Sequence, residues 1–179
     1  EPEPGARGQV GGGRGRLGGD GPVGGALGSG AWDDPAERTV DARRWTPFTA
    51  AGGGILALSS LTTRPPPRTT LTPCTARTRS DQTYNDTVTL KQDTTLTGVN
   101  VTFAKTLDAD ALAASSKLTG DASGVTTFNA AVGGILALTS LTTDAAGSTQ
   151  TNGGAVTTTT DQTYTDTVPL NQARPHTGT

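Results

Sequence analysis

An internal repeat constrains this chain more than any other feature. FTAAGGGILALSSLTT at 48–63 returns as FNAAVGGILALTSLTT at 128–143, and DQTYNDTVTLKQ at 81–92 returns as DQTYTDTVPLNQ at 161–172, so both blocks obey one 80-residue period. The first pair shares 13 of 16 positions and the second 9 of 12, with no gap. A unit that recurs at constant length stacks on its neighbour, so the expected architecture is an array whose core runs through successive copies.

Between the blocks, length is kept while identity is lost. LTT and DQTY are separated by RPPPRTTLTPCTARTRS at 64–80 and by DAAGSTQTNGGAVTTTT at 144–160, spacers of equal length in which only Thr69 with Thr149 and Thr78 with Thr158 coincide. The same change of chemistry divides the whole chain. All 11 Arg, 10 of the 11 Pro, both Trp, Cys74 and His176 lie outside 81–172, a window holding 23 Thr, 9 Asp, 3 Lys and no Glu. One period apart, VDARRWTPF at 40–48 puts Arg-Arg-Trp where GDASGVTTF at 120–128 has Ser-Gly-Val, and ARPHTGT at 173–179 keeps only Thr177 and Gly178 of its counterpart. Off-frame codons of a GC-rich gene run to Arg, Pro, Gly and Ala. Residues 1–47, 64–80 and 173–179 therefore read as wholly or partly translated from a shifted frame, and the alternative is genuine linkers or loops.

The organisation expected is a low-complexity Gly/Pro/Arg segment at 1–47, disordered or frame-shifted, a strand-repeat region at 48–172 with 64–80 aberrant, and an irregular tail at 173–179. Composition supports the division. Only 32% of the chain is hydrophobic and 4% aromatic, with no Met, so the repeat must fold around a narrow, regular core rather than a broad one. The stretch EPEPGARGQVGGGRGRLGGDGPVGGALGSG offers only isolated Val and Leu among glycines, too little apolar surface to offset chain entropy.

Strand signals dominate the unit. TYNDTVTL, TLTGVNVTF, GVTTFNAAV and AVTTTTDQTY are rich in Thr, Val and aromatics and bounded by Gly, Asn and Asp, and Val99, Val101 and Phe103 alternate with Asn100 and Thr102. DADALAASSKL at 108–118 is compatible with a short helical turn, and GILALTSLTT is ambiguous because Leu138 and Leu141 lie three apart. A smaller motif recurs, Thr then an aromatic then Val or Leu four positions on, at Tyr84/Val88, Phe103/Leu107, Phe128/Val132 and Tyr164/Val168, with Gln150 as a degenerate aromatic position. The spacing fits single coils, so the fold class expected is all-β, a parallel β-helix (β-solenoid) of about four coils per unit, with a β-sandwich as the alternative. Thr is expected in ladders on the outer face, and Gly and Asn at corners with positive φ.

The blocks DQTYNDTVTLKQDTTLTGVNVTF, GVTTFNAAVGG and LTSLTTDAAGSTQTNGGAV resemble the β-strand repeats of very large bacterial surface proteins of the filamentous-haemagglutinin and autotransporter-passenger kind. The resemblance covers 81–172 and 48–63. It implies a right-handed parallel β-helix stalk, export to the bacterial cell surface or outside the cell, and a structural or adhesive role. Its implied partners are neighbouring repeats of a longer chain and host or cell-surface glycans or proteins. The chain has no initiating Met and no signal peptide, which fits an internal piece of a longer product. It also has no apolar run of the length that spans a bilayer, so no membrane insertion by this segment is expected.

Chemistry is sparse. The window carries no His, Cys or Glu, so no catalytic residues are assigned and the chain is not expected to be an enzyme. Asp108 and Asp110, alternate residues on a strand, are the one carboxylate pair that could share a face, against the simpler reading of a solvated acidic loop. A β-helix carbohydrate-active enzyme would need Arg, Lys or His beside such a pair. The oxygen-rich turns LTGDASG (118–124) and TDAAGSTQTNGG (143–154) suit calcium, but neither the repeat-in-toxin nonapeptide nor an EF-hand pattern is present. No metal site and no cofactor are expected, and Cys74 and His176 have no companions with which to form one. One Cys excludes an intrachain disulfide. Nine Asp against three Lys in the window argue against nucleic acid, and the Arg pairs of GGGRGRLGG and Arg43–Arg44 lack interleaved Phe or Tyr. An ice-binding reading of the Thr tracts needs Thr-x-Thr at the same place on every coil, and in the sequence the positions shift. The remaining function classes are a surface stalk or adhesin segment, a non-functional truncated or frame-shifted product of such a gene, and, as a third alternative, a carbohydrate-active β-helix enzyme fragment.

Overall fold

The computed structural model describes residues 16–17, 23–24, 38–40, 46–49, 60–63, 68–72, 74–169 and 176–177. In chain order the strands begin with β1 (Arg16–Leu17), β2 (Val23–Gly24), β3 (Arg38–Val40), β4 (Thr46–Thr49), β5 (Leu61–Thr63), β6 (Thr69–Thr72) and β7 (Cys74–Arg77). They continue with β8 (Gln82–Tyr84), β9 (Val88–Leu90), β10 (Thr94–Gly98), β11 (Val101–Phe103), β12 (Leu107–Ala109) and β13 (Lys117–Ala122). The last are β14 (Val125–Phe128), β15 (Ser140–Thr143), β16 (Ser148–Thr151), β17 (Val156–Thr157), β18 (Gln162–Tyr164) and β19 (His176–Thr177).

Every strand pairs in parallel with the strand one turn above or below it. Sheet 1 has seven strands in the order β1-β3-β5-β8-β11-β14-β16, sheet 2 has β2-β4-β6-β9-β12, and sheet 3 has β7-β10-β13-β15-β18. Sheet 2 continues through single bridges from Leu107 to Val132 and from Val132 to Val156 in β17, which pairs with β19. The chain visits sheets 1, 2 and 3 in turn, and this three-sided winding is a β-solenoid. Turn length varies: Tyr84 faces Phe103 and Phe103 faces Phe128, a longer step in sequence than the one before it. The extra residues sit in corners, leaving the ladders in register. Of the stretch expected to lack a packed fold, the structure describes the backbone of β1, β2, β3 and the start of β4, each paired with the next turn. The rest of 1–47, together with 50–59, 64–67, 73, 170–175 and 178–179, lies outside the described residues.

Each long strand read from the sequence is two short ones meeting at a corner. TYNDTVTL becomes β8 and β9 around Asn85–Thr87, and TLTGVNVTF becomes β10 and β11 around Val99–Asn100. Val101 and Phe103 point inward, but Val99 is part of the corner and 39% exposed. The expected left-handed Asn is also absent: no non-glycine residue described has positive φ. Corner asparagines instead link turns through their side chains. Asn100 donates to Asp81 Oδ1 (2.8 Å) and accepts from the Val125 amide (2.9 Å), and Asn152 donates to Asn129 Oδ1 (3.0 Å). Glycine carries the positive φ, as at Gly147 (φ +87°), where a Cβ would run into the Gly124 carbonyl oxygen. Residues 108–118 make no helix; the chain leaves β12 through a single turn closed by Ala113 N–H to Asp110 O (3.0 Å). Leu138 and Leu141 are both fully buried in extended chain.

The interior is a stack of like residues. Tyr84, Phe103 and Phe128 close successive sheet 1 strands, and their rings stack at centroid distances of 5.1 and 5.3 Å with interplanar angles of 11° and 7°. Beyond the area it buries, each such pair adds about 1 kcal/mol. Four positions after each ring, Val88, Leu107 and Val132 form the matching column on sheet 2. The column of rings ends there: Thr151, not Gln150, stands opposite Phe128, and Tyr164 belongs to sheet 3, facing Thr143.

The position of Tyr164 shows how the repeat unit is wound. From Tyr84 the sheet 1 ladder rises through Phe103 and Phe128 to Thr151, three turns, and the chain then passes two more faces to reach Tyr164. One unit is thus three turns and two faces, close to the four coils expected but not a whole number of them, so each block is displaced to another face. LTT at 61–63 is in sheet 1 and LTT at 141–143 in sheet 3.

The internal contacts survive this displacement. Asp86, 5% exposed at the corner after β8, accepts the hydroxyls of Thr63 (2.5 Å) and Thr69 (2.7 Å) from the turn below. One period on, Asp166 accepts Thr143 (2.8 Å) and Thr149 (2.7 Å). Gln82 donates from the core to the carbonyls of Ala76 (3.1 Å) and Thr97 (2.9 Å) and accepts the Tyr84 hydroxyl (2.9 Å). Gln162 likewise donates to Val156 O (3.0 Å) and accepts from Tyr164 (3.2 Å). Thr78 and Thr158 each turn back to a carbonyl two positions on. The two threonines shared by the divergent spacers are therefore both engaged in equivalent hydrogen bonds.

Two outcomes test this packing. Phe103→Ala removes the middle ring and is expected to cost about 3–5 kcal/mol, read as a lowered urea midpoint. Asp86→Ala leaves two buried hydroxyls without their acceptor and is expected to cost about 2 kcal/mol, more than Asp166→Ala, whose bonds are only partly buried; equal losses would contradict the clamp described.

Candidate functional site

The surface that could meet a partner is set by the residues alternating outward. On sheet 3, Thr75, Thr95, Thr119, Thr142 and Thr163 stand directly opposite one another on five successive strands. On sheet 1, Thr62, Thr83, Thr102 and Thr127 do the same. The shift of Thr positions seen in the sequence is thus absorbed by corners of unequal length, and in space one Thr column on each of these two sheets is straight. A second column is not formed beside it on sheet 3, where Arg77, Thr97 and Asp121 occupy the register. Thr-x-Thr spans both columns at Thr95 and Thr97 of β10, and again at Thr163 and Thr165 where β18 ends.

That neighbouring column brings two carboxyls together. Gly120 pairs with Thr143, so Asp121 comes beside Asp144 one turn on, and Thr97 Oγ1 donates to Asp121 Oδ2 (3.2 Å). Burial first, then the hydrogen bond and negative charge of Asp121, push the Asp144 carboxyl above its usual range; the amides of Ala146 and Ala122 oppose the shift in part. Asp93 is held below its usual range, first by the Ser115 hydroxyl (2.6 Å), with the Lys117 amide (2.9 Å) and ammonium assisting against desolvation. Burial, with the Asp166 charge adding, pushes the Tyr164 hydroxyl up to about 12.

Asp108 and Asp110 do not form a working pair. Asp108, 6% exposed, accepts from the Ile135 amide with Oδ1 (2.8 Å) and pins the loop that crosses sheet 2. Asp110 caps its own turn through the Leu112 amide (3.0 Å) and lies 3.9 Å from Lys91 Nζ. Of the two oxygen-rich turns whose composition suits calcium, the first contributes Asp121 and the second Asp144; among the described residues no group of three His, Cys, Asp or Glu side chains converges. Cys74 opens β7 and His176 opens β19, and their side chains lie outside the described residues. Among the described residues no helix is long and apolar enough to cross a membrane.

Sequence reasoning missed three features. The Thr–Asp–Thr clamp was signalled by Thr69 and Thr149 coinciding across otherwise unrelated spacers. The meeting of Asp121 with Asp144 had no signal, because coil length is not constant. The exposure of Ile135 was hidden inside an apolar run. No family model, no curated protein and no solved structure matches this chain.

The two shifted carboxyls give opposite pH dependences. Asp93, lowered in the fold, contributes stability above the ordinary aspartate value near pH 4 that is lost as pH falls through its lowered value. Asp144, raised in the fold, favours the folded state when protonated, and that contribution is lost as pH rises through its raised value. Thermal midpoints at neutral pH should therefore fall in Asp93→Asn and rise in Asp144→Asn, with the Asp144→Asn gain absent below about pH 4.

Proposed function

We propose that this chain is a structural or adhesive repeat segment of a secreted or cell-surface bacterial protein, resembling the stalks of filamentous-haemagglutinin-like and autotransporter-passenger adhesins, without catalytic activity. The observation that carries the reading is the equivalence of the two units: the Asp86 and Asp166 clamps and the Gln82 and Gln162 plugs recur one period apart, so further units can be added without new contacts. Such a rule builds a rod of any length, which is what a stalk requires. The hydroxyl columns give it a hydrogen-bonding surface suited to glycans or proteins, and its other partners are neighbouring repeats.

A second reading has one observation in its favour, the abrupt Arg/Pro composition of 64–80 against 144–160: a frame-shifted, non-functional product of such a gene. Circular dichroism and urea unfolding of the purified chain distinguish the two. A stalk segment gives a β spectrum and a cooperative transition, and tandem copies lengthen by about 18 Å per unit in small-angle scattering, from strand spacings near 4.8 Å. A disordered spectrum would sink the stalk reading.

A further inference from the structure

We propose that the outer face of sheet 3 is a lateral docking surface for a second copy of this chain, two rods lying antiparallel about a two-fold axis so that Arg77 of each meets Asp144 of the other. Two outward columns make this face. One is the threonine column that runs from Thr75 to Thr163, and beside it stand Arg77, Thr97, Asp121 and Asp144 on successive turns. The residues that precede them, Ala76, Leu96 and Thr143, are buried where they flank the column, so these side chains point to solvent. Arg77 is exposed, and Thr97, Asp121 and Asp144 are half-buried.

The charges of this column are not neutralised within the chain. From strand spacings near 4.8 Å, Arg77 stands about 10 Å from Asp121 and about 14 Å from Asp144, beyond the reach of an ion pair. It makes no ion pair among the described residues. Asp121 and Asp144 have each other, the Thr97 hydroxyl and, for Asp144, the amides of Ala122 and Ala146. Two carboxyls on adjacent turns thus face outward without a cation, and a guanidinium on the same line faces outward without an anion. A guanidinium laid on the pair offsets the repulsion between the carboxyls, and its planar fork suits carboxylate oxygens.

The order of the charges selects the occupant. Basic groups lie low on the face, with Arg79 exposed just beyond Arg77, and the carboxyls lie two and three turns higher. A nucleic acid or an anionic lipid surface is repelled by Asp121 and Asp144, and a wholly basic partner by Arg77 and Arg79. The whole column is satisfied by a partner that carries the same signs in reverse order, as a second copy turned about a two-fold axis does. With that axis along the strands, between Thr97 and Asp121, Arg77 lies against the partner's Asp144 and Thr97 against the partner's Asp121. The same rotation lays the threonine column on itself. Hydroxyls both donate and accept, so threonine meets threonine with no group left unsatisfied, and their short side chains let the two faces approach closely.

Sedimentation equilibrium over roughly 5 to 500 µM, suited to a weak contact, tests the pairing. The full chain should dimerise reversibly, and the dimer should weaken in about 1 M salt, where the Debye length is about 3 Å. Arg77→Asp and Asp144→Arg should each weaken dimerisation by about tenfold or more. Mixed together, the two variants should form a heterodimer, because each then meets the opposite sign at both contacts. Arg77→Asp removes no bond among the described residues, so its circular dichroism melt should match that of the wild type. A wild-type chain that stays monomeric overturns the proposal and leaves the face to a different partner. Association unchanged by Arg77→Asp overturns it as well, placing the contact at the rod ends, and so does a mixture of the two folded variants that stays monomeric.

Discussion

The structure depends on one constraint: every strand must lie in parallel register on the strand one turn away. Backbone amides and carbonyls that so short a strand could not satisfy alone are paired above and below, and like side chains are brought to within a strand spacing of each other. The stack of Tyr84, Phe103 and Phe128 follows from this, as do the straight threonine columns. Turns of unequal length are tolerated because corners take up the difference, through glycine where φ is positive and through asparagine side chains where it is not. An insertion at a corner therefore costs little, whereas one within a strand would shift every inward residue to the outside.

Polar groups inside a narrow solenoid carry a heavier penalty than in a broad core, since there is no water to fall back on. The structure meets this by giving two of its largest buried polar side chains several partners. Asp86 takes two hydroxyls, and Gln82 takes two carbonyls and a phenol. Such contacts fix axial register, because only one stacking places a carboxylate between two threonines. Their recurrence around Asp166 and Gln162 makes register a property of the unit rather than of a single turn.

Much of this was legible in the sequence. The repeat period, the all-β character and the coil built on an aromatic followed by Val or Leu can be read from residues alone, because period and alternation are local properties. The number of turns per unit cannot, since the coil from Tyr84 to Phe103 is shorter than the one from Phe103 to Phe128 and leaves no fixed ruler. Tyr164 carries the same local motif as the stacked rings, yet it stands on another face. Asn85–Thr87 lies inside a stretch that reads as one strand, yet it turns a corner between β8 and β9. Ile135 sits in an apolar run whose neighbours Val132 and Leu138 are buried, and only the path of the backbone decides which of the three faces water. Asp108 and Asp110 alternate correctly, but the strand ends between them, and they serve different loops.

The displacement of each unit to another face has a consequence for any longer array. Three units, each of three turns and two faces, make eleven turns before a block regains its original azimuth, a rise of about 50 Å at strand spacings near 4.8 Å. A rod built this way has no front or back. Each surface motif winds round the axis like a thread, so every side of the rod presents the same chemistry within one such rise.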